Sequence, residues 1–529
     1  MTHTYRYLFF LFMVAAGFPS CQKDLLDTVP NDRISEDVFW QTASDAEAAV
    51  NSLYRDLDGT NIFAWDAFTD IAHVNQPFNV NAYIELGTYD ASSSVILSEW
   101  SNAFTGIAAD NYFLANADKV ADVTDATTLA RYKAEARFLR AYQYVKLATL
   151  FGGVPIVTAP LTIAEARALT RNSLSEVYDF VDTELTDIAD DLPTSYTSSD
   201  IGRITQGAAW ALKARADLYA GRYEAAATAA RNVIDLNVYS LYSQYKTLFS
   251  YAAENNSEVI LDKQFIASTY SNSVFYLLAP YSQNSSQSTF VPTKAGIAYY
   301  TTADGESIDD ATSGYDSTQP YVNRDSRLGF SVFLDGDTLP SGAIFHPAPN
   351  SGTADAVGNT YIASTTGFNI KKYINASDYA SPSNNGINII LIRYAEVLLT
   401  YAEAKIELDD IDQSVYDAIN LVRNGRTDVQ LPDITSGKTQ AELRVLVRNE
   451  RTVELAFEGL HLADIRRWKT AESVVPGNVY GITYLNDSGS YTTVQVAVSR
   501  VFNASKHYLW PIPQSEIDQD SYLEQNPNW

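Results

Sequence analysis

Two stretches of equal length, ARADLYAGRYEAAATAARN at residues 214–232 and AEAKIELDDIDQSVYDAIN at residues 402–420, align without a gap at an offset of 188 residues. Alanines recur at matching positions in both copies, and both copies close on an asparagine. Small side chains at fixed positions let two antiparallel helices approach closely. Gly221 supplies the turn in the first copy, and Asp409 replaces it in the second. Unless two alanine-rich helices align here by chance, the pattern predicts a repeated helix-turn-helix unit of the tetratricopeptide type.

Helical periodicity extends outward from this repeat on both sides. Further runs with helical spacing lie at residues 27–57, 100–118, 129–151, 174–192 and 442–469. We therefore predict a predominantly α fold, with a tetratricopeptide-like helical repeat scaffold that covers about residues 27–253 and 389–475.

The stretch between the two halves of the scaffold has a different texture. Residues 254–388 are rich in Ser, Thr, Asn, Gly and Tyr, contain short β-branched runs and show no sustained helical period. They predict an irregular, loop-rich lobe containing a few short strands. We expect a second irregular insertion at about 476–506 and a C-terminal segment at 507–529. Loops mounted on a rigid scaffold are a usual arrangement for binding surfaces.

The N-terminus has the pattern of a bacterial lipoprotein. A short apolar stretch from Tyr5 to Phe18 is followed closely by Cys21, the single cysteine of the chain. Because there is no second cysteine, an intramolecular disulfide is excluded, and a thiol at this position suits diacylglyceryl modification. We expect residues 1–20 to be a signal peptide and Cys21 to carry a lipid anchor, the alternative being a chance cysteine near a cleaved end. Residues 22–24 resemble the surface-export tag of Bacteroidetes lipoproteins.

Charge and hydropathy exclude several classes of protein. The formal net charge is −27 and the sequence pI is about 4.5, which opposes binding to nucleic acid or to anionic lipid surfaces. No run after the N-terminal stretch approaches the ~18 apolar residues of a membrane-spanning helix. The remaining candidates are folded proteins that bind neutral or cationic ligands.

Several motifs appear in a fixed order along almost the whole chain. They are Cys21, AEARFLRA at 134–141 with GGVP at 152–155, NRDSRL at 323–328, RNER at 448–451 with ELAFEG at 454–459 and DIRRW at 464–468, and YLWPIP at 508–513 with NP at 526–527. Together they resemble the SusD/RagB family of outer-membrane glycan-binding lipoproteins. The resemblance implies that residues 21–529 form one SusD-like domain.

The resemblance also implies a function and a partner. Proteins of this family lie as a lid over a SusC-like, TonB-dependent outer-membrane transporter, capture oligosaccharides and pass them into the barrel. The expected location is the outer membrane, lipid-anchored and exposed at the cell surface. Two alternatives remain open: capture of peptides, as RagB-like relatives are implicated in peptide uptake, or a surface scaffold.

Sugars are recognised by aromatic faces that stack on C–H groups and by polar groups that bind hydroxyls. Trp65 is the one tryptophan of seven in an irregular polar stretch, within a segment where relatives place part of their glycan platform. The alternative for Trp65 is a loop anchor packed on the first helix. The expected glycan-binding residues are Trp65, Asp70, His73, Asn75 and Tyr83 in that segment, with Tyr276 and Tyr281 in a Ser/Tyr-rich loop. The other six tryptophans are expected in the core.

No feature of the sequence predicts catalysis. The five histidines form no cluster with metal-ligand spacing, and the chain has no phosphate-binding loop and no Gly-x-Ser-x-Gly motif. We therefore expect no metal and no cofactor. The composition leaves open a glycosidase pair among the 64 acidic residues, because the spacing such a pair requires is spatial.

Overall fold

The computed structural model describes residues 39–529, so the predicted signal peptide and Cys21 lie outside the described residues. The elements of the first half of the chain are helices, apart from one short strand. They are α1 (Ala43–Leu53), α2 (Ile62–Ala67), β1 (Ala72–Val74), α3 (Asn81–Leu86), α4 (Ser94–Asn116), α5 (Ala126–Phe151), α6 (Ile163–Ala166), α7 (Leu174–Ile188), α8 (Gln206–Tyr219) and α9 (Tyr223–Asp235).

The middle of the chain consists of short elements joined by long loops. These are β2 (Val259–Lys263), α10 (Val274–Leu278), β3 (Phe290–Pro292), α11 (Lys294–Ala298), α12 (Arg327–Ser331), β4 (Val332–Phe333) and β5 (Asn369–Ile370). The chain then returns to helices and ends with one hairpin and a short helix. These are β6 (Ile389–Arg393), α13 (Tyr394–Glu407), α14 (Gln413–Asn424), α15 (Gln440–Glu454), α16 (His461–Arg467), α17 (Ala471–Val474), β7 (Gly477–Leu485), β8 (Tyr491–Arg500) and α18 (Gln514–Gln519). The predominantly α fold with an irregular, loop-rich lobe is confirmed.

The sequence repeat corresponds to two helical hairpins. The pair α8 and α9 and the pair α13 and α14 carry the two copies, and both ends of α8 match both ends of α13 at the 188-residue offset. Gly221 has a φ of 72° and Asp409 a φ of 58°, so both turns use a residue in the left-handed region. Glycine adopts this conformation without a steric penalty, and aspartate is among the few other residues that tolerate it. The replacement of the turn glycine therefore preserves the turn.

The helices pack side by side into one layered scaffold. Contacts run from α4 to α5, then to α7, α8 and α9, and from α9 to α13, which packs on both α14 and α15. Capping boxes define the starts of α7 at Ser173 and of α15 at Thr439. The six tryptophans expected in the core are all buried or packed against it: Trp40, Trp100, Trp210, Trp468, Trp510 and Trp529.

The strands form four separate antiparallel pairs, β1 with β3, β2 with β6, β4 with β5 and β7 with β8. The expectation of an irregular segment at 476–506 is wrong for most of that range, because residues 477–500 form the β7–β8 hairpin. Both strands are rich in Val, Ile, Thr and Tyr, and the turn between them closes where Asn486 donates its backbone N–H to Ser490. These are the ordinary signals of a hairpin.

A buried ion cluster joins the lobe to the scaffold. It contains five cations and five carboxylates, namely Arg327, Lys372, Arg393, Arg423 and Arg426 with Glu258, Asp325, Glu450, Glu454 and Glu458. Glu454 on α15 lies at its centre and accepts from three arginines at 2.7 to 2.9 Å. Burial alone would raise the pKa of Glu454, but the guanidinium groups outweigh it and hold the pKa well below its usual range. The acidic residues of the ELAFEG motif are therefore structural.

Candidate functional site

Three of the side chains expected to bind a ligand are buried and already have partners. Asp70 accepts from Tyr299 Oη at 2.7 Å and pairs with His461 at 2.9 Å. His73 Nδ1 lies 2.6 Å from Glu85 Oε1, which itself binds an arginine. The relative exposures of Asp70, His73 and Asn75 are 5%, 3% and 2%. Their role in the structure is to support the loops, because their polar atoms do not face solvent.

Trp65 lies on α2 and is partly buried against the main core. It borders a cavity of about 60 Å³ that is also lined by Tyr142, Lys146 and Arg215. This is far below the roughly 300–1,000 Å³ of ligand pockets, so the cavity is too small for a sugar ring. Trp65 therefore packs on the core as an anchor does, on a helix and beside residues of α5 and α8.

Asn75 organises the loops that surround it. Its amide nitrogen donates to the carbonyls of Ile362 and Ala363 at 3.0 and 3.2 Å, and its Oδ1 accepts from the N–H and hydroxyl of Thr365 at 2.7 and 2.8 Å. Its backbone N–H donates to the carbonyl of Thr289 at 2.9 Å. One buried amide thus holds three segments together that are far apart in sequence.

The loops held by Asn75 present aromatic rings to solvent. Phe78 and Tyr361 have relative exposures of 68% and 64%, and their ring centroids lie 5.6 Å apart at an interplanar angle of 70°. Tyr276 is also exposed. Its backbone lies close to this segment, because its carbonyl accepts from the Gln287 N–H at 2.7 Å and the Gln287 carbonyl accepts from the Gln76 side chain at 2.5 Å. We call Phe78, Tyr276 and Tyr361 the aromatic surface. Within this surface, Phe78 and Tyr361 contact each other edge to face, and both rings remain exposed to solvent.

Of the remaining expected residues, Tyr83 on α3 is exposed and Tyr281 is half-buried. Tyr281 begins a loop in which Asn284, Ser285 and Ser288 all have positive φ values, between 45° and 60°. Non-glycine residues in this conformation store strain, which is concentrated at functional sites. The loop is therefore constrained by its surroundings, and the carbonyl of its Gln287 accepts from Gln76, two residues before Phe78.

Polar groups around the aromatic surface are mainly amides. Asn284 and Asn359 are exposed, and Gln287 is half-buried. The three loops, at residues 75–83, 276–288 and 354–365, contain one carboxylate, Asp355, which is buried and accepts from the Ser282 N–H at 2.8 Å. Burial raises the pKa of Asp355. A surface of this kind offers ring faces for stacking and neutral groups for hydroxyls.

The residues expected from the sequence did not include Phe78 or Tyr361. Phe78 follows Pro77 in the stretch around the predicted residues, and an aromatic residue in such a loop was a readable signal. Tyr361 lies 283 positions further along the chain and has no local signal, since its position depends on the contacts of Asn75. Among the helices of residues 39–529, none has the length and apolar composition needed to cross a membrane.

Comparison with known proteins gives a consistent result. The family model described as the SusD family matches residues 257–529, and a second model, described as starch-binding and associating with the outer membrane, matches residues 26–218. SusD-like protein P38 of Formosa agariphila is 26% identical over 509 residues, covering 90% of this chain and 93% of the relative.

Two solved structures extend the comparison. A SusD-like carbohydrate-binding protein from Bacteroides fragilis superposes with a TM-score of 0.83 at 29% identity, covering 92% of this chain and 100% of that protein. A laminarin-binding SusD-like protein has a TM-score of 0.71 at 22% identity, with coverages of 92% and 100%, which shows the shared fold.

Proposed function

The chain belongs to the SusD family, and we propose that it is a cell-surface glycan-binding protein that captures oligosaccharides on its aromatic surface. The observation that carries this proposal is the pair of exposed rings of Phe78 and Tyr361, with centroids 5.6 Å apart. Sugar rings present C–H groups that pack on aromatic faces, and the neighbouring amides can donate to and accept from hydroxyls. A protein described as carbohydrate-binding shares this fold at 29% identity.

The same surface supports binding without hydrolysis. Glycosidases usually need two carboxyl groups, roughly 5 to 10 Å apart, on either side of the scissile bond. The three loops contribute only Asp355, and it is buried with its Oδ1 bound to the Ser282 N–H. We therefore propose that the chain releases its ligand unchanged.

The finer proposal is that the captured oligosaccharide passes to a SusC-like, TonB-dependent transporter. It requires a position at the outer membrane, which is consistent with the description of the second matching family model. Cys21 would hold the chain there through a lipid. Cys21→Ser should yield a protein that is not lipidated and leaves the membrane fraction, and persistent membrane attachment of this variant would contradict the anchor. Co-purification of the wild-type chain with a transporter of this class would support the partnership.

A glycan array followed by titration calorimetry tests the binding function. The wild-type chain should bind a subset of the oligosaccharides, and incubation with the bound glycans should release no new reducing ends. Steady release of reducing ends would replace binding with hydrolysis as the function. Binding of peptides in place of glycans would favour the peptide-capturing alternative.

A further inference from the structure

A second cleft lies between the lobe and the β7–β8 hairpin, separate from the aromatic surface. Its volume is about 280 Å³, close to the lower end of the roughly 300–1,000 Å³ range of ligand pockets. We call it the hairpin cleft. Its polar and aromatic lining residues include Lys294, Tyr315, Tyr321, Arg324, Thr483 and Tyr491.

The lining of the hairpin cleft is cationic in a strongly acidic chain. The formal net charge of the chain is −27, yet the residues that line this cleft include one lysine, one arginine and no aspartate or glutamate. Arg324 is buried, and its guanidinium donates to the carbonyls of residues 297, 300, 301 and 320. The neighbouring Asp325 forms its ion pair with Arg327, at 2.7 Å. Arg324 thus contributes a cation to the wall of the cleft, and the lining contains no carboxylate to pair with it.

Lys294 is the cation that a ligand can reach. Its Nζ donates to the hydroxyls of Thr483 and Thr493, both at 3.1 Å, and these two threonines face each other across the hairpin. An ammonium group has three N–H donors. In the described part of the chain, two of the Lys294 N–H donors bind hydroxyls, which are neutral. The positive charge and the third donor therefore remain for a ligand. The side chain is exposed.

Aromatic and hydroxyl groups complete the cleft. Tyr491 on β8 has a relative exposure of 52%, and Tyr315 and Tyr321 are half-buried. The Arg324 guanidinium lies 5.3 Å from the centroid of the Tyr315 ring, which fixes that wall of the cleft. The loop at residues 304–316 contributes Ile308 and Tyr315 to the lining, whereas its exposed carboxylates are not among the lining residues. One of them, Asp310, accepts from Thr312 in its own turn.

One short segment connects the hairpin cleft to the aromatic surface. Tyr361 belongs to the aromatic surface, and Phe368 lines the cleft seven positions later. An extended chain spans at most ~3.6 Å per residue, which places these two residues within about 25 Å of each other. Ile482 in the hairpin donates its N–H to the carbonyl of Thr366 at 2.8 Å and holds the segment against the cleft. A separation of at most this size is within the length of an oligosaccharide of several units.

We propose that the hairpin cleft is a binding subsite for an anionic group of a glycan, a uronate carboxylate or a sulfate ester, with Lys294 as its direct partner. The proposal rests on the glycan-binding function proposed above and names the class of glycan: acidic oligosaccharides. The tyrosines would pack against the sugar ring, and Lys294 would donate to the anion.

The test compares matched oligosaccharides by titration calorimetry. One series consists of oligogalacturonates and their carboxyl-reduced counterparts, and the other of sulfated galactan oligosaccharides and their desulfated counterparts. We expect the wild-type chain to bind the acidic member of at least one series more tightly. Lys294→Gln should weaken that binding about tenfold, the size expected for loss of one hydrogen bond between charged partners, and leave the neutral member unchanged. Binding of the acidic member should also weaken with added salt.

Two further variants control for charge and folding. Lys119→Gln removes the charge of an exposed lysine outside the cleft and should have no effect, whereas Lys294→Arg should retain most of the binding. Preference for the uronate series identifies a carboxylate, and preference for the sulfated series identifies a sulfate ester. If neither series shows a preference that depends on Lys294, the subsite is refuted, whatever the neutral glycans do. If Phe78→Ala leaves binding of all glycans intact, the proposal that the aromatic surface binds glycan is refuted. The result for Lys294 still decides whether the hairpin cleft is a subsite.

Discussion

Removal of the Phe78 ring should weaken glycan binding and leave the fold intact. A phenylalanine side chain has ~200 Å² of surface, and at 68% exposure about 130 Å² of it faces solvent. A sugar ring stacked on one face would cover about half of that area. At ~25 cal/mol per Å² the loss is about 1.6 kcal/mol, or about 15-fold in Kd.

The same substitution should lower the free energy of unfolding by less than it lowers the free energy of binding. Phe78→Ala removes one edge-to-face contact with Tyr361, and such a contact contributes ~0.5 to 1.5 kcal/mol. Titration calorimetry with an oligosaccharide that the wild-type chain binds measures the first effect, and urea unfolding measures the second. Tyr522→Ala removes a ring of similar exposure, 60%, outside the aromatic surface, and should change neither the Kd nor the stability by much. A Kd for Phe78→Ala within twofold of the wild-type value would refute the reasoning.

Three further predictions concern buried residues. Trp65→Ala should lower the free energy of unfolding by about 2 kcal/mol, because the ring packs on the core, and leave the Kd for glycan unchanged; a weaker Kd in the folded variant would restore Trp65 to the binding site. Glu454→Gln should cost about 3–5 kcal/mol in urea unfolding, since it leaves three buried arginines short of a negative charge; a loss below about 1 kcal/mol would contradict the structural role of the cluster. Burial raises the pKa of Asp262 to about 7, so the folded state retains a proton that the unfolded chain releases near pH 4. The free energy of unfolding therefore falls as the pH rises from about 4 to about 7. Asp262→Asn should remove about 4 kcal/mol of that fall, and an unchanged slope of stability against pH would contradict the shift.

The helical part of the fold could be read from the sequence because its determinants are local. The repeated alanines and the turn residues Gly221 and Asp409 act within a few positions of themselves, and the structure has matching hairpins at both copies. The β7–β8 hairpin was equally local, with β-branched strands and a turn at residues 486–490, and the polar composition of its surroundings concealed it.

The site was harder to read because polar residues in a loop have two opposite uses. Asn75 and His73 look like ligand-binding groups in the sequence, yet each is buried and bound to protein partners. The partner that defines the role of Asn75, Thr365, lies 290 residues away. No periodicity or motif reports a contact at that separation. Tyr361 was missed for the same reason, since only the folded chain brings it to Phe78.

The most direct test of the account is a crystal structure of the chain with an oligosaccharide that it binds. We predict a sugar ring packed on Phe78 and Tyr361, with its hydroxyls bound to the neighbouring amides and no covalent change in the glycan. An oligosaccharide bound elsewhere, with these two rings still facing solvent, would contradict the central claim.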